Sequence, residues 1–163
     1  PLSEGLALFS GRSFTGESLN SDEGVLLNIL NDSLGSSTRI TYLFEGSPVT
    51  VGVNKLKKNL NISENKIEIA LKLEFMLSEF PKDHINKASL RKELEKFLTE
   101  KIEEDMNGVI KKLQEAKSDA IGLGRSVRAF HPKFFKKDWN EHFSTMDISA
   151  KLSVEIVKTG ILD

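Results

Sequence analysis

Cysteine is absent from the 163 residues, which excludes disulfides, thiolate metal sites, a catalytic thiol and a lipid carried on cysteine within this stretch. Long apolar runs are absent too. None approaches the ~20 residues that a spanning helix needs, and Pro1-Leu2-Ser3-Glu4 does not open like a signal peptide. The chain therefore reads as starting at a boundary inside a longer protein. Net charge is nearly missing, since 23 basic against 24 acidic residues leave −1. That balance predicts no general affinity for nucleic acid or acidic surfaces.

Signatures of catalysis are lacking as well. His84, His131 and His142 are too scattered for a zinc site, and neither HExxH nor a GxSxG elbow occurs. Asp138 and His142 stand four apart, a spacing that reads as a surface ion pair before it reads as a metal site. Carboxylates are plentiful, but no spacing singles out an acid/base pair. The expectation is a protein without enzymatic activity, cofactor or metal.

What the chain does contain is one long helical stretch, from Ser89 to Ser118. Leu90, Leu94, Phe97, Leu98, Ile102, Met106, Val109, Ile110 and Leu113 recur every three or four residues. Ser89 is the candidate N-cap, acids crowd the first two-thirds, and lysines gather near the end. Gly108 is its one weak point, costing about 1 kcal/mol against alanine, yet the apolar phase holds on both sides and predicts a single helix. Steps of four advance roughly 40° around such a helix, so the stripe winds. That favours a helix lying across a twisted sheet over a coiled coil.

The other elements follow from turn and cap signals. Gly5 to Phe9 and Ser13 to Thr15 predict a short hairpin. Asn20 caps a helix of about 14 residues that Gly35 ends. Arg39 to Phe44 and Val49 to Val53 flank the turn-rich Glu45-Gly-Ser-Pro48. Ile67, Ile69, Leu71, Leu73 and Phe75 alternate with polar residues, giving one dry and one wet face, and Pro81 closes that strand. Asp119 opens a short helix from Ala120 to about Phe130, and Pro132 another to about Phe143. A last alternating strand, Ile148 to Ile156, is stopped by Gly160, and its regularity predicts pairing inside the sheet. The fold class expected is α+β, in one domain over 1–163. Its twisted antiparallel sheet has about four main strands, with room for a mixed pair at the edge. The long helix packs on one face, accompanied by shorter helices.

Two features invite a functional reading. Gly122-Leu-Gly124-Arg-Ser-Val127 lacks the third glycine and the Lys-Ser/Thr pair of a phosphate loop, and it follows a helix; it reads as a close approach between helices. Arg125, Arg128, Lys133, Lys136 and Lys137 gather in a stretch without acids, interleaved with Phe130, Phe134 and Phe135 and followed by Trp139 and Phe143. The aromatics read as core anchors at helical spacing. The cations are a candidate contact surface for a partner protein, an anionic membrane or a nucleic acid strand.

In this segment, Lys117-Ser-Asp119-Ala-Ile-Gly122-Leu-Gly124, then Phe130-His-Pro132-Lys-Phe134 and Trp139-Asn-Glu-His-Phe143 resemble the C-terminal domain of the spore germination lipoproteins called Ger(x)C. These are the C subunits of nutrient germinant receptors. Gly5 to Phe9 and Phe14 to Leu30 are similar to the start of the same domain, so the likeness spans nearly the whole chain. Arg125 departs from it, standing where an acid is expected, as do Phe134 and Phe135, where a tyrosine and a tryptophan are expected. The resemblance implies that Asp119, Gly122, Gly124, Trp139 and Phe143 are architectural. It also implies a lipoprotein without known catalytic activity at the outer face of the spore inner membrane. That protein works beside two integral membrane subunits, with its lipidated cysteine and two further domains ahead of Pro1. The function expected is an interaction or assembly domain; the alternative is a module that binds a small nutrient.

Overall fold

Alternation and short turns build the sheets strand by strand in the computed structural model, which describes residues 5–35, 38–80 and 88–159. Pro81, His84 and Gly160 lie outside the described residues. Strands β1 (Leu6–Ser10) and β2 (Ser13–Leu19) form an antiparallel hairpin. Strands β3 (Arg39–Phe44), β4 (Ser47–Ile62), β5 (Lys66–Glu79) and β6 (Asp147–Thr159) form one sheet in that order. The β3–β4 turn is only Glu45-Gly46, both at positive φ, 48° and 77°, the two-residue geometry that suits strand twist. Pro48 is tolerated inside β4 because pairing to β5 begins only at Thr50.

Strand β4 runs far beyond the expected Val53. A bulge sits at Asn54, since Val53 opposes Phe75 while Lys55 opposes Glu74. Val49, Val51 and Val53 therefore face the core on odd numbers, whereas Leu56, Leu60 and Ile62 do so on even ones. The spare residue resets the parity of the alternation.

The last strand forms the mixed pair at the edge for which the expected fold class left room. Strand β6 lies at the sheet edge and runs parallel to β5, from Lys66 opposite Asp147 onward. Parallel pairing needs a crossover. Helices α2 (Ala88–Glu115), α3 (Leu123–Phe130) and α4 (Trp139–Thr145) supply it by carrying the chain back to the end where β5 starts. An edge strand leaves backbone groups open to pairing, and here α2 closes them. Asn107 Oδ1 accepts from Ala150 N at 2.8 Å and Asn107 Nδ2 donates to Ala150 O at 3.2 Å. Glu103 accepts from Leu152 N at 2.9 Å, and Glu95 from Ile156 N at 2.9 Å.

Helix α2 is continuous through Gly108, as its apolar phase predicts, and buries Leu94, Leu98, Ile102, Met106, Val109, Ile110 and Leu113. Ser89 lies within it instead of capping it. Helix α1 (Ser21–Leu30) is shorter than expected. Asn20 and Glu23 form a reciprocal capping box at its start. Asp32, at φ 56°, takes the left-handed place that ends it before Gly35. Lys58 Nζ then donates to the Leu30 carbonyl at 2.6 Å, putting a cation at the negative end of the helix. Burial holds this lysine below its ordinary pKa, against the pull of Asp32 and Asp119. Helix α3 starts at Leu123, later than expected, and the helix predicted from Pro132 to Phe143 divides into a 3₁₀ turn (Pro132–Phe134) and α4.

Asn107→Ala should destabilise the fold by about 1–3 kcal/mol, since it strands a donor and an acceptor on the β6 edge. Urea unfolding measures the loss, and hydrogen exchange should show it centred on Ala150. Gly108→Ala should act the other way. A Cβ there meets nothing within 4 Å, so a gain of about 1 kcal/mol is expected in the same unfolding experiment.

Candidate functional site

Chain geometry brings Asp119, Gly124 and Trp139 to one corner, where the β1–β2 hairpin faces α3 and α4. Its centre is the Asp119 carboxylate. Oδ1 accepts from Leu123 N at 2.9 Å, and Oδ2 accepts from Gly124 N at 2.7 Å and from Trp139 Nε1 at 2.8 Å. The carboxylate thus satisfies free amides at the start of α3 and ties α4 to them in the same contact. Such charge-assisted bonds are stronger than neutral ones, contributing about 1.5–3 kcal/mol each.

Two glycines make the corner possible. Gly122, at φ 77°, turns the chain into α3 through the left-handed region. Gly124 lies against the indole face, and a Cβ there would come within 2.6 Å of Trp139 Nε1 and 2.7 Å of Cδ1. Trp139 also stacks on Phe135, with ring centroids 5.6 Å apart and planes 8° from parallel. The Arg128 guanidinium sits 5.7 Å from the Phe135 centroid, so Gly124 and Arg128, one turn apart on α3, flank a stacked aromatic pair. Phe143 is fully buried beneath α4. Gln114 Nε2, from α2, donates to the Phe143 and Met146 carbonyls, each at 2.8 Å.

Among the aromatics expected in the core, Trp139 and Phe143 are buried and Phe134 and Phe135 are half-buried, but Phe130 is 77% exposed. Arg125, Arg128, Lys133, Lys136 and Lys137 are all exposed. They do not form one patch. Arg125 and Arg128 line a cleft together with Ala7, Leu8, Phe9, Phe135 and Trp139. Lys133 lies over the Phe134 ring at 4.9 Å, and Lys136 faces Glu64 at 3.8 Å. His142 Nε2 lies 3.3 Å from the Glu64 carbonyl oxygen and, among the described residues, makes no ion pair with Asp138.

The cleft has a volume of about 780 Å³, within the range of ligand and peptide sites. A second cleft of about 640 Å³ lies between α1, α2 and β3, and five of its polar residues are tied to one another in two groups. Tyr42 donates to Asp105 at 2.7 Å, and burial together with that carboxylate pushes the phenol far above its usual pKa. Burial raises the pKa of Glu23, but Lys112 at 2.6 Å and the Asn20 amide outweigh that and hold it below the usual carboxylate value. These pairs join elements to each other. In the first cleft the two arginines make no ion pair among the described residues, and the one acid lining it, Asp119, has its oxygens filled. Sequence reasoning found the arginines but not the wall facing them, because only the fold brings Ala7 and Phe9 beside α3.

Gly124→Ala should push the indole off Asp119, costing about 1–3 kcal/mol. Because Trp139 is the only tryptophan, its emission should shift toward that of an exposed indole; an unshifted spectrum at unchanged stability would contradict the close approach.

Among the described residues no helix is long and apolar enough to cross a membrane, and no cluster of three or more metal-binding side chains occurs. None of the curated proteins matches the chain. A crystal structure of the GerBC protein superimposes with a TM-score of 0.80 at 24% identity, covering 94% of this chain and 51% of that one. The chain thus spans about half of GerBC, and the likeness establishes the same α+β fold. Residues 4–160 match the family described as "Spore germination B3/ GerAC like, C-terminal", and the chain belongs to that family.

Proposed function

We propose that this chain is a non-catalytic interaction domain of a germinant receptor C subunit, supporting assembly or coupling of the receptor during nutrient-triggered spore germination. It is the single C-terminal domain of a longer lipoprotein, anchored by an upstream lipid at the outer face of the spore inner membrane. Its partners are the integral membrane subunits. Family membership supplies the context, and the observation that carries the reading is the exposed cationic and aromatic side of α3 and the 3₁₀ turn. Arg128, Phe130 and Lys133 stand in solvent there, on a frame fixed by Asp119 and Trp139. Arginine beside exposed aromatics is typical of protein contact surfaces. A second reading, direct binding of a small nutrient, is favoured by the volume of the cleft.

Replacing Arg128 and Lys136 together by glutamate should lower both the recovery of receptor subunits with tagged protein and the germination rate, in spores with normal protein level. Unchanged recovery and rate would remove the basic surface from the proposal. Thermal shift against amino acids and sugars tests the second reading, since a ligand at one hundred times its Kd stabilises by about 2.7 kcal/mol.

A further inference from the structure

We propose that the cleft between β1 and α3 receives an extended acidic segment of a partner polypeptide, added as a strand to the free edge of β1 and held by Arg125 and Arg128. This rests on the reading of the chain as an interaction domain and names the chemistry of the partner.

Three observations converge. The first concerns the edge. Among the described residues β1 pairs with β2 alone, and three consecutive residues, Ala7, Leu8 and Phe9, line the cleft. A strand face would present only every second residue, so the cleft runs along the strand edge. Leu8's carbonyl faces β2, where it accepts from Thr15 Oγ1 at 2.9 Å. The register shift between Ala7 and Phe9 places its extra residues in β2, with Ala7 opposite Ser18 and Phe9 opposite Phe14, so β1 keeps its alternation and the backbone groups of Ala7 and Phe9 point away from β2, toward the cleft. Strand addition to such an edge is a recurring mode of peptide recognition.

The second observation is charge. Arg125 and Arg128 stand on the opposite wall, and Arg12 sits in the hairpin turn beside Gly11, which lines the cleft. Among the described residues none of the three is ion-paired, whereas Lys112, Lys117, Lys136 and Lys151 each face a carboxylate. Guanidinium groups take carboxylates with two parallel bonds. The third is the floor. Trp139 and Phe135, stacked on each other and flanked by Gly124 and Arg128, line it, and Asn140 Nδ2 holds the hairpin through Ser10 Oγ at 3.2 Å. An incoming strand would turn alternate side chains toward this apolar floor and bring acidic ones to the arginines. With β1 five residues long, the seat fits a segment of about five residues, roughly 17 Å of extended chain.

Trp139 lines the cleft and is the only tryptophan, so its fluorescence reads occupancy directly. The probes are a blocked ten-residue peptide alternating glutamate with valine, its lysine counterpart, and the glutamate peptide N-methylated at alternate residues. The first should change Trp139 emission saturably, with an affinity that falls as salt rises; the other two should not. Arg125→Glu alone, and with Arg128→Glu, should weaken binding roughly tenfold or more, with circular dichroism unchanged, whereas Lys137→Glu should leave it within about twofold. Equal binding of the lysine peptide would overturn the charge argument, and equal binding of the N-methylated peptide the strand argument. The proposal is also overturned if glutarate or vesicles of anionic lipid shift Trp139 in an arginine-dependent way while the peptide does not. Loss of receptor recovery with the double variant, without peptide binding, would sink strand addition and leave the interaction domain standing.

Discussion

The outer edge of β6 is the constraint on which the rest of the architecture depends. A parallel strand at a sheet margin exposes a row of amides and carbonyls that would template aggregation or cost several kcal/mol if buried unpaired. Helix α2 meets them with side chains in matching register. Asn107, Glu103 and Glu95 take the amides of Ala150, Leu152 and Ile156, so the helix runs antiparallel to the strand. Four residues of helix rise about 6.0 Å and two residues of strand about 6.6 Å. A row of side chains spaced by four can therefore follow a strand edge spaced by two over this length without slipping. Asn107, with both a donor and an acceptor, imitates one residue of a further strand. The winding apolar stripe and this polar row are two sides of one requirement: α2 must lie over the sheet and along its margin together.

That requirement explains what sequence could and could not disclose. The length and phase of α2 were legible, because burial imposes a period that survives a glycine at a solvent-exposed position. The acids of its first two-thirds read as complements to the helix dipole. In the structure Glu95 and Glu103 serve the edge of β6, and Asp105 takes the Tyr42 hydroxyl. Helix periodicity reports which face a residue occupies but not which distant backbone it meets. The parallel direction of β6 was hidden for a related reason. Alternation is the same in either direction, and only the route of the crossover decides it. The second half of β4 escaped because a bulge changes the parity of its pattern within one strand. The hairpin, the start of α1 at Asn20 and the dry face of β5 were legible, each signal being local.

The candidate site divides along the same line. Gly124 was readable as a place of close approach but Trp139 was not readable as its neighbour, although only a missing Cβ lets an indole lie on a helix backbone. What no local pattern shows is that one carboxylate, Asp119, bonds to both elements and orients the aromatic floor of a cleft whose far wall comes from the opposite end of the chain. The five cations that look like one basic run in sequence are sorted by the fold into a pair facing that cleft and three that do not.

The sorting separates what holds the corner together from what faces solvent. The Asp119 and Trp139 frame is internal, with its polar atoms spent on the fold, so its chemistry is closed to visitors. The wall that α3 turns to the cleft is open, and a residue there can change sign without disturbing the frame. Arg125 is such a residue: it is exposed, bonds to nothing in the frame, and stands where the family resemblance leads one to expect an acid. An acid at that place would set the wall against carboxylates, and an arginine sets it toward them. A rigid knot beside a wall that is not bonded to it lets the scaffold keep its shape whatever charge Arg125's place carries.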